Sequence, residues 1–260
     1  MVHDAAIIDM DGTLYREGTA IDGAAAAVSW LREQGITPLF LTNNASRHRQ
    51  TYVDRLADCG IDAERDEIIT SGYLTARHLA DTVPGSTVYV VGEDGLRDEI
   101  REQDLSLTAV PDEADVFVLS YTREVDYELL TEMLRGFDDD TLIATNPDQT
   151  LPGEDGPLPG TGTIVAACEA MLGEEAEVIG KPSLTAAETA TSLVDAEPEG
   201  CLMIGDRCNT DIVMGKNAGM TTVLVLTGVT DRQEATATAV EPDFVLDSIA
   251  DLRDALDQNS

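Results

Sequence analysis

Lysine is nearly absent from this chain of 260 residues, since only Lys181 and Lys216 occur and the remaining bases are arginines. Bases are scarce altogether: 16 lysines and arginines stand against 50 acidic residues, which gives a formal net charge of -34. A surface this acidic repels nucleic acid and anionic lipid, so neither is a predicted partner. The acids are dispersed rather than gathered in one tail. This pattern predicts adaptation to a high-salt cytoplasm, where counterions screen the self-repulsion.

The chain also lacks the spacings of cysteine and histidine that hold zinc. Its cysteines (Cys59, Cys168, Cys201 and Cys208) form no C-x-x-C pair and have no histidine nearby in sequence, which excludes a zinc site of that kind and a disulfide framework. No apolar run approaches the length of a membrane span. A basic segment followed by an apolar stretch is missing at the start of the sequence. We therefore expect a soluble, cytoplasmic protein.

Strand-like and helix-like segments alternate along the chain, which predicts an α/β fold with a parallel sheet covered on both faces. A second alternation begins after Val83-Pro84-Gly85. It ends in residues 146–160, a segment with four prolines and three glycines that we interpret as an irregular loop leading to a hinge. The prediction is a core domain of residues 1–78 and 160–260, interrupted by an inserted α/β domain of residues 79–159.

Two carboxylates, Asp9 and Asp11, end the first apolar run and are followed by Gly12 and Thr13. Residues two apart in a strand point to the same face, so both carboxylates project together. Such a pair repels unless a cation lies between them or one stays protonated. A solvated turn also favours aspartate and glycine, so this motif alone does not decide between a reaction centre and a turn.

Polar residues follow three further strand-like runs, where the carboxyl ends of parallel strands form a ligand site. They are Thr42, Asn43 and Asn44 after the second run, Lys181 before Pro182, and Asp206 with Asp211 after a later run. Several of these are also typical helix caps, and a cap uses the same backbone N–H groups as an anion site. A surface role for Lys181 is the alternative to a compact positive charge at the site.

This set of residue types suits phosphoryl transfer. Asp9 is the candidate nucleophile and Asp11 the candidate acid and base. Because phosphate brings negative charge to a carboxylate cluster, we predict Mg²⁺, bound by Asp9, the backbone carbonyl of Asp11, and Asp206. Asp211 either ligates through water or orients Lys181.

The phosphate oxygens need donors of their own as charge moves in the transition state. We assign the hydroxyl of Thr42, the backbone N–H of Asn43 and the ammonium of Lys181 to them. Asn44 is predicted to support this segment structurally.

Taken in order, four motifs make the chain resemble the phosphatases of the haloacid dehalogenase (HAD) superfamily. They are Asp9-Met10-Asp11-Gly12-Thr13, Leu41-Thr42-Asn43-Asn44, Gly180-Lys181-Pro182 and Gly205-Asp206-Arg207-Cys208-Asn209-Thr210-Asp211. The paired asparagines, the Gly-Lys-Pro form and the large insert are similar to subfamily IIA, the 4-nitrophenylphosphatases and NagD-type phosphatases. The resemblance implies a Rossmann-like core with a larger-type α/β cap. It also implies magnesium dependence and hydrolysis of small phosphate monoesters.

Within that resemblance the substrate stays open among sugar phosphates, glycerol phosphate, phosphoglycolate, nucleotides and pyridoxal phosphate, with aryl phosphates as assay substrates. Asn146 and Asp148 are either substrate contacts from the cap or turn formers. Residues 120–123 (Ser-Tyr-Thr-Arg) depart from the glycine and acidic residue that the subfamily shows, and this argues against transferring any one relative's substrate. We expect the cap to close over the site. We also predict a homodimer formed through the cap.

Three other interpretations compete with a phosphatase. A phosphorylated receiver module uses a similar aspartate, threonine and lysine but needs neither Asp11 nor a large insert. A non-catalytic relative of the same fold would not need the complete set of reactive residues. A dehalogenase or phosphomutase of the superfamily is the chemical rival, although a dehalogenase does not require the second aspartate.

Overall fold

The computed structural model describes residues 3–138, 140–151, 153 and 156–258. In chain order its strands are β1 (Ala5–Asp9), β2 (Tyr15–Arg16), β3 (Thr19–Ala20), β4 (Thr37–Thr42), β5 (Ile68–Thr70), β6 (Thr87–Val91), β7 (Ser106–Thr108), β8 (Val116–Leu119), β9 (Thr141–Ala144), β10 (Thr150–Leu151), β11 (Leu158–Pro159), β12 (Glu177–Val178), β13 (Cys201–Gly205), β14 (Thr221–Val225) and β15 (Phe244–Leu246). Its α-helices are α1 (Ala24–Glu33), α2 (Arg49–Asp58), α3 (Ser71–Thr82), α4 (Asp94–Glu102), α5 (Tyr127–Gly136), α6 (Thr161–Leu172), α7 (Leu184–Leu193), α8 (Val213–Ala218), α9 (Arg232–Ala237) and α10 (Leu252–Asp257).

The chain divides into two compact units. The first comprises Met1–Thr42, Arg49–Ile69 and Lys181–Ser260, and the second comprises Asn43–His48 and Thr70–Gly180. The second unit is longer than the predicted insert of residues 79–159 because α3 packs against α4 and β12 pairs with β9. Hydrophobic periodicity identifies a segment as a strand or a helix but does not say which sheet it joins.

A six-stranded sheet in the order β15-β14-β13-β1-β4-β5 forms the first unit. The strand β1 lies between β13 and β4 and runs parallel to both. All five of its residues are buried, as expected for a strand covered on both faces. The register pairs Asp9 with Leu41 and Ile8 with Ile204. The carboxyl ends of β1, β4 and β13 therefore lie side by side at one edge of the sheet.

Helix α1 shows how the apolar pattern covers this sheet. Its buried residues, Ala24, Ala27, Val28 and Leu31, recur every three or four positions and line one stripe of the helix. The helix ends next to Gly35, whose φ of 79° is a left-handed conformation that glycine adopts without strain. The sequence predicted both the helix and its end.

A five-stranded sheet in the order β12-β9-β8-β6-β7 forms the second unit, and the pairs along it are parallel. Its core contains Phe117, which contacts the rings of Tyr89 and Phe137 at centroid distances of 5.4 and 5.2 Å. Residues of α6 belong to the same core. The α/β class with parallel sheets, predicted from the alternation, is confirmed for this chain.

Two short antiparallel pairs were not predicted. The strands β2 and β3 form a hairpin directly after the first aspartate motif. The strands β10 and β11 pair within the segment predicted to be an irregular loop, so that prediction is wrong for these four residues. Pro152, Glu154 and Asp155 of the predicted loop lie outside the described residues.

Candidate active site

Four of the predicted residues meet at the edge of the first unit's sheet. Asp9 is the last residue of β1, Asp206 follows β13 directly, and Lys181 and Asp211 reach the same place from neighbouring segments. All four are buried, with Lys181 only 2% exposed. The interpretation of Lys181 as an ordinary surface lysine is therefore wrong.

Lys181 connects two of the carboxylates. Its Nζ lies 2.5 Å from Asp9 Oδ1 and 2.7 Å from Asp211 Oδ1, and it donates a longer bond of 3.3 Å to the backbone carbonyl of Leu41. Burial by itself would lower the pKa of Lys181, but the charges of Asp211 and Asp9 outweigh it and raise that pKa above its usual range. Lys181 is therefore a charged ammonium. Its contact with Asp211 favours the alternative in which Asp211 orients Lys181 over the one in which Asp211 binds the metal through water.

Asp206 is held differently. Its Oδ2 accepts a hydrogen bond of 2.6 Å from the backbone N–H of Val229, whereas its Oδ1 is buried and has no hydrogen-bond partner among the described residues. Burial and the nearby Asp211 raise the pKa of Asp206 to about 6, against the opposing bond from Val229. A buried carboxylate oxygen without a donor is costly unless a cation completes the site.

Carboxylate oxygens of Asp9, Asp206 and Asp211 all lie within 4.8 Å of one another. The ammonium of Lys181 contacts two of these acids, Asp9 and Asp211, and does not balance the negative charge of all three carboxylates. A divalent cation would offset the excess. Burial raises the pKa of Asp9 well above its usual range, Lys181 opposes this rise, and the other two aspartates add to it. The donor set, the excess charge and the open oxygen of Asp206 fit a hard, oxygen-liganded dication.

Asp11 differs from this buried cluster because its side chain is exposed. Removal of water by the surrounding protein raises the pKa of its carboxyl, and Arg55 and Arg207 oppose that shift. An acid that reaches solvent near a buried carboxylate is suited to exchanging protons with a leaving group and with water.

The boundary between the two units falls within the second predicted motif, between Thr42 and Asn43. Thr42 is the last residue of β4 in the first unit, and Asn43 and Asn44 begin the second unit. Asn44 Oδ1 accepts hydrogen bonds from the backbone N–H and the hydroxyl of Ser46, at 2.9 and 2.7 Å. These bonds form a local turn, and the supporting role of Asn44 stays a prediction.

Asn146 and Asp148 belong to a polar network of the second unit. The Asn146 amide, 3% exposed, donates 2.7 Å to the backbone carbonyl of Asn43, and its Oδ1 accepts the backbone N–H of Asp148. Asn43 Nδ2 donates to Asp148 Oδ2 at 3.3 Å. These bonds favour the turn-forming alternative for Asn146, whose polar atoms are engaged within the protein.

The sequence left open whether residues 120–123 influence substrate choice. Ser120 is buried and its hydroxyl accepts a bond of 2.9 Å from Thr145 Oγ1, so its role is internal. Arg123 is exposed and donates from Nε to the Tyr121 hydroxyl at 3.0 Å. Within this stretch, residues 121–123 are at least partly exposed and are accessible to a ligand.

Sequence reasoning gave no role to Thr13 or to the 227–230 loop. Thr13 is fully buried, and its hydroxyl lies 3.5 Å from Asp9 Oδ2. The 227–230 loop contacts both Asp206 and the turn after Asp11. The position of this loop just past β14, at the same sheet edge as the other site residues, was the signal that could have found it.

Comparison with known proteins agrees with this geometry. Residues 6–106 match the family model of the haloacid dehalogenase-like hydrolases, and residues 178–252 match a second, HAD-hydrolase-like model. The acid sugar phosphatase of Staphylococcus saprophyticus is 36% identical over 93% of this chain and 93% of its own length. The chain belongs to the haloacid dehalogenase superfamily. It is a phosphatase of subfamily IIA, as the motifs indicated.

Other relatives also match this HAD phosphatase over nearly their whole length. The 5'-nucleotidase YutF of Bacillus subtilis is 35% identical over 94% of this chain and 95% of its own length. The p-nitrophenyl phosphatase of Archaeoglobus fulgidus has a solved structure with a TM-score of 0.93 and 36% identity, covering 98% of this chain and 100% of that one. These full-length matches to phosphatases exclude the receiver-module and dehalogenase interpretations.

The described residues of this HAD phosphatase include no helix with both the length and the apolar character of a membrane span.

Proposed function

We propose that this HAD phosphatase hydrolyses small phosphate monoesters through a covalent aspartyl-phosphate on Asp9, with Mg²⁺ as its metal. One observation carries the proposal. Asp9 ends the central strand, is buried, and lies in hydrogen-bond contact with Lys181 and within the carboxylate cluster of Asp206 and Asp211. This arrangement supports the proposal that a nucleophile, a fixed positive charge and a set of metal ligands act at one point.

The first half-reaction transfers the phosphoryl group to the protein. A carboxylate oxygen of Asp9 forms a bond to phosphorus while the bond from phosphorus to the ester oxygen breaks. Asp11 gives its proton to the departing oxygen, which leaves as an alcohol. The exposed position of Asp11 lets it serve leaving groups of different size.

The second half-reaction returns the enzyme to its starting state. Asp11, now a carboxylate, removes a proton from water, and the water oxygen forms a bond to phosphorus. The bond between phosphorus and Asp9 breaks, and inorganic phosphate departs. Asp11 is then protonated again and Asp9 is a free carboxylate, so protons and bonds balance over the cycle.

Charge on the phosphoryl oxygens is the main barrier to both steps. We assign Lys181 Nζ, the hydroxyl of Thr42 and the backbone N–H of Asn43 as its donors. Asp9, the backbone carbonyl of Asp11, and Asp206 would hold the metal, with Asp211 supporting Lys181. When bound, Mg²⁺ supplies positive charge that offsets the phosphate's negative charge among these carboxylates.

The substrate class follows from the relatives, whose names specify acid sugar phosphate, 5'-nucleotide and p-nitrophenyl phosphate hydrolysis. We infer that this chain acts on sugar phosphates or nucleotides. A panel of both, run with Mg²⁺ in molar potassium chloride, ranks them by kcat/KM.

The proposed homodimer is supported by an apolar face on α5 of the second unit. Tyr127 and Leu134, two turns apart on this helix, are 87% and 51% exposed. Sedimentation of wild type and of the double substitution Tyr127→Ser, Leu134→Ser tests it, with a monomeric variant expected.

The nucleophile is tested by Asp9→Asn, with p-nitrophenyl phosphate as substrate. We expect a loss of kcat of about a thousandfold or more with an unchanged circular dichroism spectrum, because the amide cannot form the acyl-phosphate. Asp58→Asn, on the exposed end of α2, is the matched control and should retain full activity. Turnover by a folded Asp9→Asn variant at the wild-type rate would rule out Asp9.

A further inference from the structure

The 227–230 loop, which follows β14, contacts two of the strand ends that carry the proposed metal ligands. Its members are Thr227, Gly228, Val229 and Thr230, and all its contacts described below lie within the first unit. Nothing in the motifs or in the names of the relatives gives this loop a function. It contacts Gly12 through the Thr227 hydroxyl and Asp206 through the Val229 backbone N–H. In a simple surface turn both groups would bind water instead.

The first contact selects between the two oxygens of Asp206. The backbone N–H of Val229 donates 2.6 Å to Oδ2, and the backbone N–H of Thr230 donates 3.1 Å to the Asp206 carbonyl. Oδ1 receives no hydrogen bond among the described residues, although it is buried. The loop thus fixes the rotation of the carboxylate and leaves one oxygen for a cation.

The second contact fixes the turn after Asp11. The hydroxyl of Thr227 donates 2.6 Å to the carbonyl of Gly12, while the Gly12 N–H donates 2.7 Å to the carbonyl of Tyr15. Gly12 is therefore held from both sides. In a planar trans peptide the carbonyl of Asp11 points opposite to the N–H of Gly12, so its direction is fixed as well.

The space between these groups admits no side chain. A Cβ atom added at Gly228 would lie 1.9 Å from Asp206 Oδ2, and one added at Gly12 would lie 2.6 Å from the same oxygen. Gly12 also has a φ of +91°, which favours glycine. Both glycines let the loop and the aspartate turn close directly on Asp206.

We propose that the 227–230 loop is a positioning element of the metal site. Through Val229 it orients the Asp206 carboxylate, and through Thr227 it holds the Gly12 carbonyl and so steadies the turn that begins at the Asp11 carbonyl. The inference rests on the proposed function, since it concerns the same metal. Thr227 does not contact the reacting atoms in this scheme and acts only through the residues it holds. Partners that orient metal ligands in this way typically contribute tenfold to a hundredfold in metal affinity.

The test is calorimetric titration of the full chain with Mg²⁺ in molar potassium chloride, without substrate. Thr227→Val removes the hydroxyl and keeps the shape of the side chain. We expect its dissociation constant for Mg²⁺ to be about tenfold larger than that of wild type. Thr227→Ser keeps the hydroxyl and should bind Mg²⁺ like wild type. Thr236→Val is the matched control, because Thr236 also donates to a backbone carbonyl, that of Gln233 at 2.8 Å, but on the exposed surface of α9.

Gly228→Ala provides a second variant, since its methyl group collides with Asp206 Oδ2 itself. Its Mg²⁺ affinity should fall further than that of Thr227→Val. At saturating Mg²⁺, kcat of Thr227→Val should recover to within a few-fold of wild type, which a general loss of folding would not allow.

Two results would overturn the inference. One of them leaves the proposed function standing, and the other removes the proposed metal as well. Wild-type affinity in Thr227→Val and Gly228→Ala, with wild type binding Mg²⁺, removes the loop's role and leaves the proposed function standing. If wild type itself binds no Mg²⁺, the proposed metal and the loop's role fall together.

Discussion

The two lysines of this HAD phosphatase provide a matched pair for measuring the electrostatics of the site. Both Lys181 and Lys216 place Nζ 2.5 Å from an aspartate oxygen, of Asp9 and of Asp243 respectively. Lys181 is buried with its partners, whereas the side chains of Lys216 and Asp243 are 30% and 40% exposed. The residue types and the shorter distance are the same in both pairs, whereas burial differs and Lys181 contacts a second carboxylate, Asp211.

Lys181→Met should lower the free energy of unfolding by about 3–5 kcal/mol in the absence of divalent metal, because it leaves Asp9 and Asp211 buried without their counter-charge. Lys216→Met should cost less than about 1 kcal/mol, since water solvates Asp243 when its partner is gone. The measurement is urea unfolding of both variants and wild type in molar potassium chloride with EDTA at pH 7.

The penalty for Lys181→Met should also depend on pH. Burial already raises the pKa of Asp9 well above its unfolded value, and loss of Lys181 removes the main opposing charge. The folded variant then holds a proton that the unfolded chain releases. Its stability relative to wild type therefore falls as pH rises through the raised pKa, and is regained as pH falls toward the unfolded value.

Equal penalties for the two variants at pH 7 would refute the reasoning, as would a Lys181→Met penalty that does not shrink between pH 7 and pH 5. Either result would mean that the buried carboxylates keep enough water to need no partner.

Two further predictions concern the metal and the surface. The pKa of Asp206 of about 6 in the metal-free protein means that protons compete with Mg²⁺ below this pH, so the apparent dissociation constant should rise about fivefold from pH 6 to pH 5. An affinity that is independent of pH, measured by titration over pH 5–7, would contradict this. The net charge of -34 predicts a higher thermal midpoint in molar potassium chloride than in dilute buffer, because salt screens the repulsion between the acids; equal midpoints in the two conditions would show that the surface is not salt-adapted.

Much of the site was predictable because its residues follow directly on buried strands. Asp9, Thr42 and Asp206 lie at or just past the ends of β1, β4 and β13, and parallel strands bring their carboxyl ends to one edge. The extent of the second unit was harder to predict from the sequence. The strand β12 looks in sequence like a core strand, yet it pairs with β9 of the second unit.

The sequence by itself determined the reactive residue types, their order and the α/β class, because these depend on local spacing and on periodicity. Only the tertiary structure decided that Lys181 bridges Asp9 and Asp211. The same is true of the hydrogen bond from the Asn146 side-chain amide to the Asn43 carbonyl, and of the bond from the 227–230 loop to Asp206. Each of these contacts joins residues far apart in the chain through atoms whose direction is set by packing. Such directions do not follow from neighbouring residues, since they depend on which segments the fold places together.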